Sequence, residues 1–220
     1  MMLTIFSDLS EVLCHGLYGI DEIVAERYGV ETSLQFRLRL QDENETFREL
    51  LRGKMSEEEY WKKVIAGGDW PFSIKEAKSM LSANMSKTIP GTLDVYRRII
   101  AYPRKLGGES VCGRPPVILV SDHISERLAE LRQLHPDIFS LVKRAYYSCS
   151  LGRIKQDPGF FPELLRKTGL SADQAILVDD MEENIGAASR SDIYGVIFQN
   201  AEQLERGLME YGFIFAPKTE

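Results

Sequence analysis

The sequence predicts an α/β fold in which a parallel sheet is covered by helices on both faces. Two observations predict it. Strand-length apolar runs alternate with helical patterns over the second half of the chain. Three such runs, at residues 3–6, 117–120 and 175–178, lead directly into polar residues. Runs without polar interruption are typical of strands buried on both faces, so we expect a Rossmann-like, doubly wound sheet.

A block with a different pattern follows the first strand. From residue 17 to residue 86, apolar residues recur at helical spacing, and Ser56 and Glu59 have the spacing of a capping box. We predict a helical cap domain at 17–86, inserted into a core domain formed by 1–16 and 87–220. Six aromatic residues of this block are expected to form most of its small core, with one or two of them facing a substrate: Phe36, Phe47, Tyr60, Trp61, Trp70 and Phe72.

Strands and helices alternate through the core. The strands are expected near residues 3–8, 117–121, 145–149, 175–179 and 194–198. The helices are expected near residues 92–100, 124–134, 160–168, 182–190 and 200–210. Residues 101–116 are rich in glycine and proline, which predicts an extended loop. His135, in a polar stretch before Pro136, is expected to face the solvent.

The composition is that of an ordinary globular protein, with 44% hydrophobic and 27% charged residues among 220. A net charge of −6, from 27 basic and 33 acidic residues, argues against a nucleic-acid partner. The apolar runs are too short to cross a membrane, and the N-terminus lacks the pattern of a signal peptide. Cys14, Cys112 and Cys149 are too widely spaced for a disulfide framework or a zinc site. We therefore expect a cytoplasmic protein with free thiols and no membrane partner.

Polar residues follow the predicted strands at the points where these end. Asp8 follows the first strand, Ser121 ends the second, and Asp179 and Asp180 follow the run at 175–178. Lys155 lies in the loop before a predicted helix. Ligands bind at the carboxyl edge of an open parallel sheet, so we expect these residues to gather there. A hydroxyl, a lysine and several carboxylates can together hold a divalent metal ion and a phosphoryl group.

Each residue taken alone also has a simpler interpretation. Asp8 or Asp179 could be a turn or helix-capping residue, and Ser121 could cap the helix that follows it. Lys155 could be a solvated loop lysine. The order of the four segments and their strand context favour a functional site.

These segments resemble the four motifs of the haloacid dehalogenase (HAD) superfamily, and the resemblance covers nearly the whole chain. Asp8 matches the first motif, Ser121 the second, Lys155 in Lys-Gln-Asp-Pro the third, and Asp179-Asp180 the fourth. A segment of the predicted cap resembles the epoxide-hydrolase-N-terminal or sugar-phosphatase branch. The resemblance implies a HAD-like core with an inserted helical cap, and a Mg²⁺-dependent phosphatase of a small phosphorylated metabolite.

The resemblance also implies metal ligands and a nucleophile. Asp8 would attack phosphorus to form an aspartyl-phosphate and would also bind Mg²⁺. Asp180 would be the second carboxylate ligand, with Asp179 behind it or bound through water. The backbone carbonyl of Ser10 would be a third protein ligand. Apart from the resemblance, Asn184 lies one helical turn beyond Asp180, where it could orient that carboxylate or simply pack.

Further residues would bind the substrate. Ser121 and its neighbour Asp122 stand at the strand end where the phosphoryl group would lie. Ser121 would donate a hydrogen bond to it, and Lys155 would neutralise its charge. Three arginines could add positive charge from the cap: Arg37, Arg39 and Arg52.

Ser10 departs from the HAD pattern, which usually has a second aspartate there as the general acid and base. Such catalysis is worth roughly 10²–10⁴-fold, and serine substitutes poorly at neutral pH. One outcome is an enzyme that favours substrates with good leaving groups. Another is that a different residue takes over the proton transfer, with Glu11, His15 and His123 the nearest in the sequence. Two other hypotheses stay open. One is a catalytically degenerate binding module. The other is a haloacid dehalogenase, which is less favoured because the acidic pair at 179–180 suits a metal.

Overall fold

A computed structural model of the chain describes residues 3–16, 19–42, 44–102, 104–106, 109–111, 117–142 and 144–217. The strands are β1 Thr4–Ser7, β2 Arg104–Leu106, β3 Glu109–Val111, β4 Val117–Ser121, β5 Arg144–Tyr147, β6 Ala175–Asp179 and β7 Tyr194–Ile197. The helices are α1 Ile20–Tyr28, α2 Val30–Asp42, α3 Asn44–Leu51, α4 Glu57–Ala66, α5 Ile74–Met85, α6 Thr92–Ala101, α7 Leu128–Leu134, α8 Pro136–Leu141, α9 Ser148–Leu151, α10 Phe160–Thr168, α11 Glu182–Ser189 and α12 Ala201–Glu210. None of these helices is long and apolar enough to span a membrane.

Five strands form one parallel sheet in the order β5-β4-β1-β6-β7. The central strand β1 pairs with β4 on one side and with β6 on the other. Its last residue, Ser7, stands opposite Leu119 and Val178. This register brings the ends of three strands to one edge of the sheet, as predicted for a doubly wound fold.

The three central strands of the sheet are buried on both faces, which explains their uninterrupted apolar runs. Successive side chains of a strand point to opposite faces. Ile5 therefore joins a cluster that includes α6, α12 and the helices between β1 and α6, whereas Phe6 packs with Phe160 of α10 on the other face. Every residue of β1, β4 and β6 is buried.

Helices α1 to α5 form an insert between β1 and α6, and we refer to them as the helical insert. The predicted capping box of Ser56 and Glu59 begins α4, and a second one begins α5. The predicted aromatic core is present: Phe36 stacks on Trp61 with ring centroids 6.4 Å apart and meets the edge of Trp70 at 5.6 Å. The division into a core domain and a cap domain at 17–86 stays a prediction.

Three expectations about connecting segments are wrong. The described part of the segment 101–116 contains the end of α6 and the antiparallel pair β2–β3, because local pairing of short strands needs no apolar pattern. Residues 103, 107–108 and 112–116, which include Cys112, lie outside the described residues. Short helices α8 and α9 were not expected, and β5 ends before α9 rather than at 149.

His135 is buried rather than solvent-facing, with only 2% of its surface exposed. Its Nε2 lies 2.6 Å from the carbonyl oxygen of Met85, which ends α5. The junction between α7 and α8 packs against the helical insert, and the polar sequence around His135 carries no sign of that contact.

Candidate active site

Lys155 lies at the centre of the charged groups at the sheet edge. Its side chain is fully buried, and its Nζ lies 2.7 Å from Asp8 Oδ2 and 2.6 Å from Asp179 Oδ2. Burial opposes the charged form, but the carboxylates of Asp179, Asp8 and Asp122 outweigh it and raise the pKa of Lys155 above its ordinary value. Lys155 is therefore a permanent cation between two acidic strand ends.

Asp8 is the first residue beyond β1 and is only 6% exposed. Its backbone N–H donates to the carbonyl of Val178 at 2.9 Å, and its Oδ1 accepts from the N–H of Leu9 at 2.7 Å. Burial raises the pKa of Asp8 to about 6, with Lys155 opposing the shift and Asp179 adding to it. The carboxylate is thus held in one orientation and is ionised at neutral pH.

Asp179 ends β6 and is held by three donors. Its Oδ2 accepts from Lys155, and its Oδ1 accepts from Met181 N at 3.0 Å and Asn184 Nδ2 at 2.8 Å. Asn184 therefore orients Asp179, and the prediction that it orients Asp180 is wrong. The reason is that α11 begins only three residues after the end of β6, so its first turn directs Asn184 back toward the strand end.

Asp180 is partly exposed and lines the pocket described below. Burial, together with the neighbouring charges of Asp8 and Asp179, raises the pKa of Asp180 to about 7. One oxygen from each of Asp8, Asp179 and Asp180 lies within 4.8 Å of the others. The three carboxylates predicted to surround a metal ion are therefore brought together.

Ser121 ends β4 with its hydroxyl fully buried. Within the described part of the chain, this Oγ has no hydrogen-bond partner, although it lies near enough to Asp8 to help lower the pKa of that carboxyl. An unpaired buried hydroxyl is costly unless something else pairs with it. It is thus available to a group that enters beside Asp8.

Asp122 contacts the lysine loop. Its two carboxylate oxygens lie 3.1 and 3.3 Å from the backbone N–H of Lys155, which donates to them. Burial raises the pKa of Asp122 to about 7. The contact shows that Asp122 holds the Lys155 backbone in place, whereas its direct binding of a substrate stays a prediction.

Two of the three residues considered as substitutes for the missing aspartate line the pocket with Ser10: Glu11 and His123. The Glu11 carboxylate contacts His15 Nδ1 at 3.0 Å and accepts from Gly16 N at 2.8 Å. His123 is buried, its Nδ1 accepts from Ile124 N at 2.9 Å, and burial lowers its pKa to about 4. His123 is therefore neutral at physiological pH.

Arg52 does not face a substrate as expected. Its Nε and Nη2 donate to Asp157 at 2.8 and 2.7 Å, and Asp157 also accepts from the N–H of Ile154. This pair holds the helical insert against the loop that carries Lys155. Arg37 pairs with Asp21 within the insert. A third arginine, Arg39, donates to the carbonyl of Lys63 at 3.5 Å. None of the three arginines that could have added charge from the cap lines the pocket, because each meets a partner that is distant in the sequence.

The carboxylates open into a pocket of about 510 Å³. The sheet edge supplies its polar floor, which includes Asp8, Ser10, Asp122, Lys155 and Asp180. The helical insert supplies the opposite wall: Phe47, Arg48, Leu51, Leu81 and Met85. The sequence analysis singled out Phe47 among the aromatics that could face a substrate, but it missed Arg48.

Comparisons with known proteins agree with this architecture. No protein family model matches the chain. A curated relative, the chloroplast flavin mononucleotide hydrolase 1 of Arabidopsis thaliana, is 31% identical over 74 residues. That match covers 33% of this chain and 30% of the relative, so the matched part spans less than a third of the relative's length.

Solved structures match over nearly the full length. A predicted HAD-like family hydrolase from Porphyromonas gingivalis has a TM-score of 0.71 at 18% identity, covering 96% of this chain and 98% of that one. A HAD family enzyme from Bacteroides thetaiotaomicron, in its magnesium complex, has a TM-score of 0.70 at 14% identity, with coverages of 94% and 98%. L-2-haloacid dehalogenase from Xanthobacter autotrophicus has a TM-score of 0.63 at 12% identity, with coverages of 96% and 83%. The chain therefore has the haloacid dehalogenase fold that its four motifs predict.

Proposed function

We propose that this chain is a Mg²⁺-dependent hydrolase that removes the phosphoryl group from a small phosphorylated metabolite. The observation that carries the proposal is the buried cluster in which Lys155 bridges Asp8 and Asp179, with Asp180 and the unpaired Ser121 hydroxyl beside it. A structure of the Bacteroides thetaiotaomicron enzyme in complex with magnesium and inorganic phosphate, at a TM-score of 0.61, supports the choice of ligands. The name of the Arabidopsis relative supports hydrolysis.

The donor set suits Mg²⁺, a hard cation that prefers oxygen ligands and retains several waters. Asp8 and Asp180 would hold it, since both line the pocket. Asp179 would not be a direct ligand and would contact the ion through a water or orient the direct ligands, because three protein donors already engage its carboxylate. The Ser10 carbonyl stays our proposed third ligand. When bound, the ion would neutralise charge on the phosphoryl oxygens.

Asp8 would be the nucleophile. A carboxylate oxygen of Asp8 forms a bond to phosphorus while the bond from phosphorus to the leaving oxygen breaks, giving an aspartyl-phosphate. Water then attacks that phosphorus and releases Asp8 and inorganic phosphate. Lys155 offsets the negative charge around the reacting group, and the Ser121 hydroxyl donates a hydrogen bond to a phosphoryl oxygen. Asp122 keeps the Lys155 backbone in position.

Proton transfer needs a group other than Ser10. Glu11 is the best placed, because it follows Ser10, lines the pocket and contacts His15, whose side chain is 36% exposed. A proton taken from solvent by His15 could pass to Glu11 and on to the leaving oxygen. A Glu11→Gln variant should lose more activity toward alkyl phosphates than toward aryl phosphates, because an aryl oxide leaves without a proton.

Phosphate release from phosphorylated metabolites and an aryl phosphate, with and without Mg²⁺, tests the proposal. We expect turnover that requires Mg²⁺ and is abolished in Asp8→Asn. The matched control is Asp137→Asn, which removes a carboxylate that is 47% exposed and lies in α8. Turnover retained in Asp8→Asn would exclude Asp8 as the nucleophile, and no turnover on any substrate would contradict the phosphatase.

Ser10 favours a second candidate, a degenerate module that binds a phosphorylated metabolite or a protein without hydrolysis. Ser10→Asp separates the two: a large gain in phosphate release would show that the native site is catalytically handicapped, whereas no gain would show that another acid and base already serves. A haloacid dehalogenase ranks third, because the carboxylates of Asp179 and Asp180 suit a metal-dependent reaction. Halide release without added metal would favour it.

A further inference from the structure

We infer that the leaving group of the substrate is predominantly apolar, and not a polyhydroxylated sugar. The inference rests on the proposed function, since it concerns the part of the phosphate monoester that would lie beyond the reacting phosphorus. It is carried by the chemical difference between the two sides of the pocket.

The wall opposite the sheet edge consists largely of side chains that neither donate nor accept hydrogen bonds. Phe47 and Leu51 come from α3, and Leu81 and Met85 come from α5. Each is no more than 9% exposed. Ile124 extends this surface from the sheet side. We call these five residues the apolar wall.

Polar groups lie on the floor of the pocket. Asp8, Lys155 and Asp180 belong to the proposed metal and phosphoryl site, and Asp122 is engaged with the Lys155 backbone. Within the described part of the helical insert, Arg48 is the one polar side chain that lines the pocket. The other polar lining residues also lie outside the helical insert: Ser10, Glu11, His123, Gln156, Glu183, Asn184 and Arg190. Sugar hydroxyls that face the wall would therefore find few partners there.

The apolar wall is built before any ligand arrives. The carbonyl of Leu51 accepts from Ser148 Oγ at 2.6 Å, and that hydroxyl in turn accepts from the backbone N–H of His123. Arg52, the next residue, holds Asp157 through two hydrogen bonds. These contacts attach the end of α3 to the same loops that carry Lys155 and Asp122, so the wall stands at a set position relative to the nucleophile.

Desolvation then decides the preference. An apolar leaving group gains free energy by covering the wall. A hexose would instead give up hydrogen bonds to water that the apolar wall does not replace, which penalises its binding. One methylene group in a hydrophobic pocket changes specificity by roughly 10–200-fold, so we expect a difference of about 100-fold in kcat/KM between the two classes.

The test compares hexyl phosphate with glucose 6-phosphate. Both are esters of a primary alcohol, so the chemistry of the breaking bond is closely matched and the comparison reports on the rest of the leaving group. We expect kcat/KM to be about 100-fold higher for hexyl phosphate. Hydrolysis of glucose 6-phosphate at an equal or higher kcat/KM would overturn the inference and leave the phosphatase intact.

If neither compound is hydrolysed, the panel of phosphorylated metabolites still decides the phosphatase, and binding decides the inference. Titration calorimetry would then measure the two affinities in the presence of Mg²⁺. Tighter binding of hexyl phosphate supports the apolar wall as the ligand contact, and equal or weaker binding overturns it.

A variant localises the effect to the wall. Met85→Gln keeps nearly the same shape but adds an amide, so it should reduce the preference for hexyl phosphate by about 10-fold. Met209→Gln is the matched control, since Met209 is 58% exposed on α12 and lies away from the pocket. If Met85→Gln does not fold, Phe47→Leu replaces it and should reduce kcat/KM for hexyl phosphate more than for glucose 6-phosphate. An unchanged ratio in the folded wall variant would contradict the assignment.

Discussion

Arg127 and Glu57 form a buried ion pair that joins the helical insert to the sheet. Arg127 lies in the 3₁₀ turn after β4, and Glu57 begins α4. The guanidinium donates to the two carboxylate oxygens at 2.9 and 2.5 Å, and their side chains are only 9% and 6% exposed. Trp61 Nε1 donates to the same carboxylate at 3.0 Å.

We predict that Arg127→Met strongly destabilises the protein. The change leaves Glu57 buried as an uncompensated charge with the Trp61 donor still in place. Removing one partner of a buried pair costs about 3–5 kcal/mol, a large part of the roughly 5–15 kcal/mol by which a typical domain is stable. The double variant Arg127→Met/Glu57→Gln should recover part of that loss, because it no longer buries a charge. Urea unfolding at pH 7 measures both values.

Arg166→Met provides the matched control. Arg166 pairs with Glu163 on the surface of α10, where their side chains are 70% and 30% exposed. Breaking a solvent-exposed pair should cost far less than breaking a buried one, because water already screens the two charges. The reasoning would be refuted if Arg127→Met cost no more than this control, or if the double variant lost more stability than the single one.

Three further outcomes follow from the site and its surroundings. Burial lowers the pKa of His123 from 6.5 in the unfolded chain to about 4 in the folded one. Between these two pH values the unfolded chain binds a proton that the folded chain does not, so the stability present above pH 6.5 is lost as the pH falls from 6.5 through 4. The free energy of unfolding should therefore fall by roughly 3 kcal/mol between pH 7 and pH 4, and His123→Asn should lack this part of the decrease. Urea unfolding of both proteins at the two pH values measures the difference. Equal losses of stability in both proteins would contradict the prediction. Arg52→Gln frees Asp157 and loosens the loop that carries Lys155, so kcat/KM for phosphate release should fall about 10-fold. Arg37→Gln is the control: it breaks the pair with Asp21 inside the insert and should leave kcat/KM unchanged. Asp180→Asn should weaken Mg²⁺ binding at least about 10-fold in titration calorimetry with an unchanged circular dichroism spectrum, and affinity equal to that of Asp137→Asn would remove Asp180 from the metal site.

Local patterns in the sequence were enough to predict the sheet and the places of the polar residues at its edge. The strands predicted at 117–121 and 175–179 are observed as β4 and β6 without a shift of boundary. A parallel sheet brings the carboxyl ends of its strands to one edge, and this geometry does not depend on how the helical insert packs. For this reason Asp8, Ser121 and Asp179 could be placed in one site from local patterns alone.

The partner of each polar side chain, by contrast, depends on how distant segments of the chain pack together. Arg52 and Asp157 are 105 residues apart, and no local pattern links them. The orientation of Asn184 toward Asp179, the burial of His135 and the pocket-facing position of Phe47 likewise depend on how separate elements pack. Periodicity predicts that a side chain is buried, but its contacts are set by the packing angle and distance between elements, and these exist only in the folded chain.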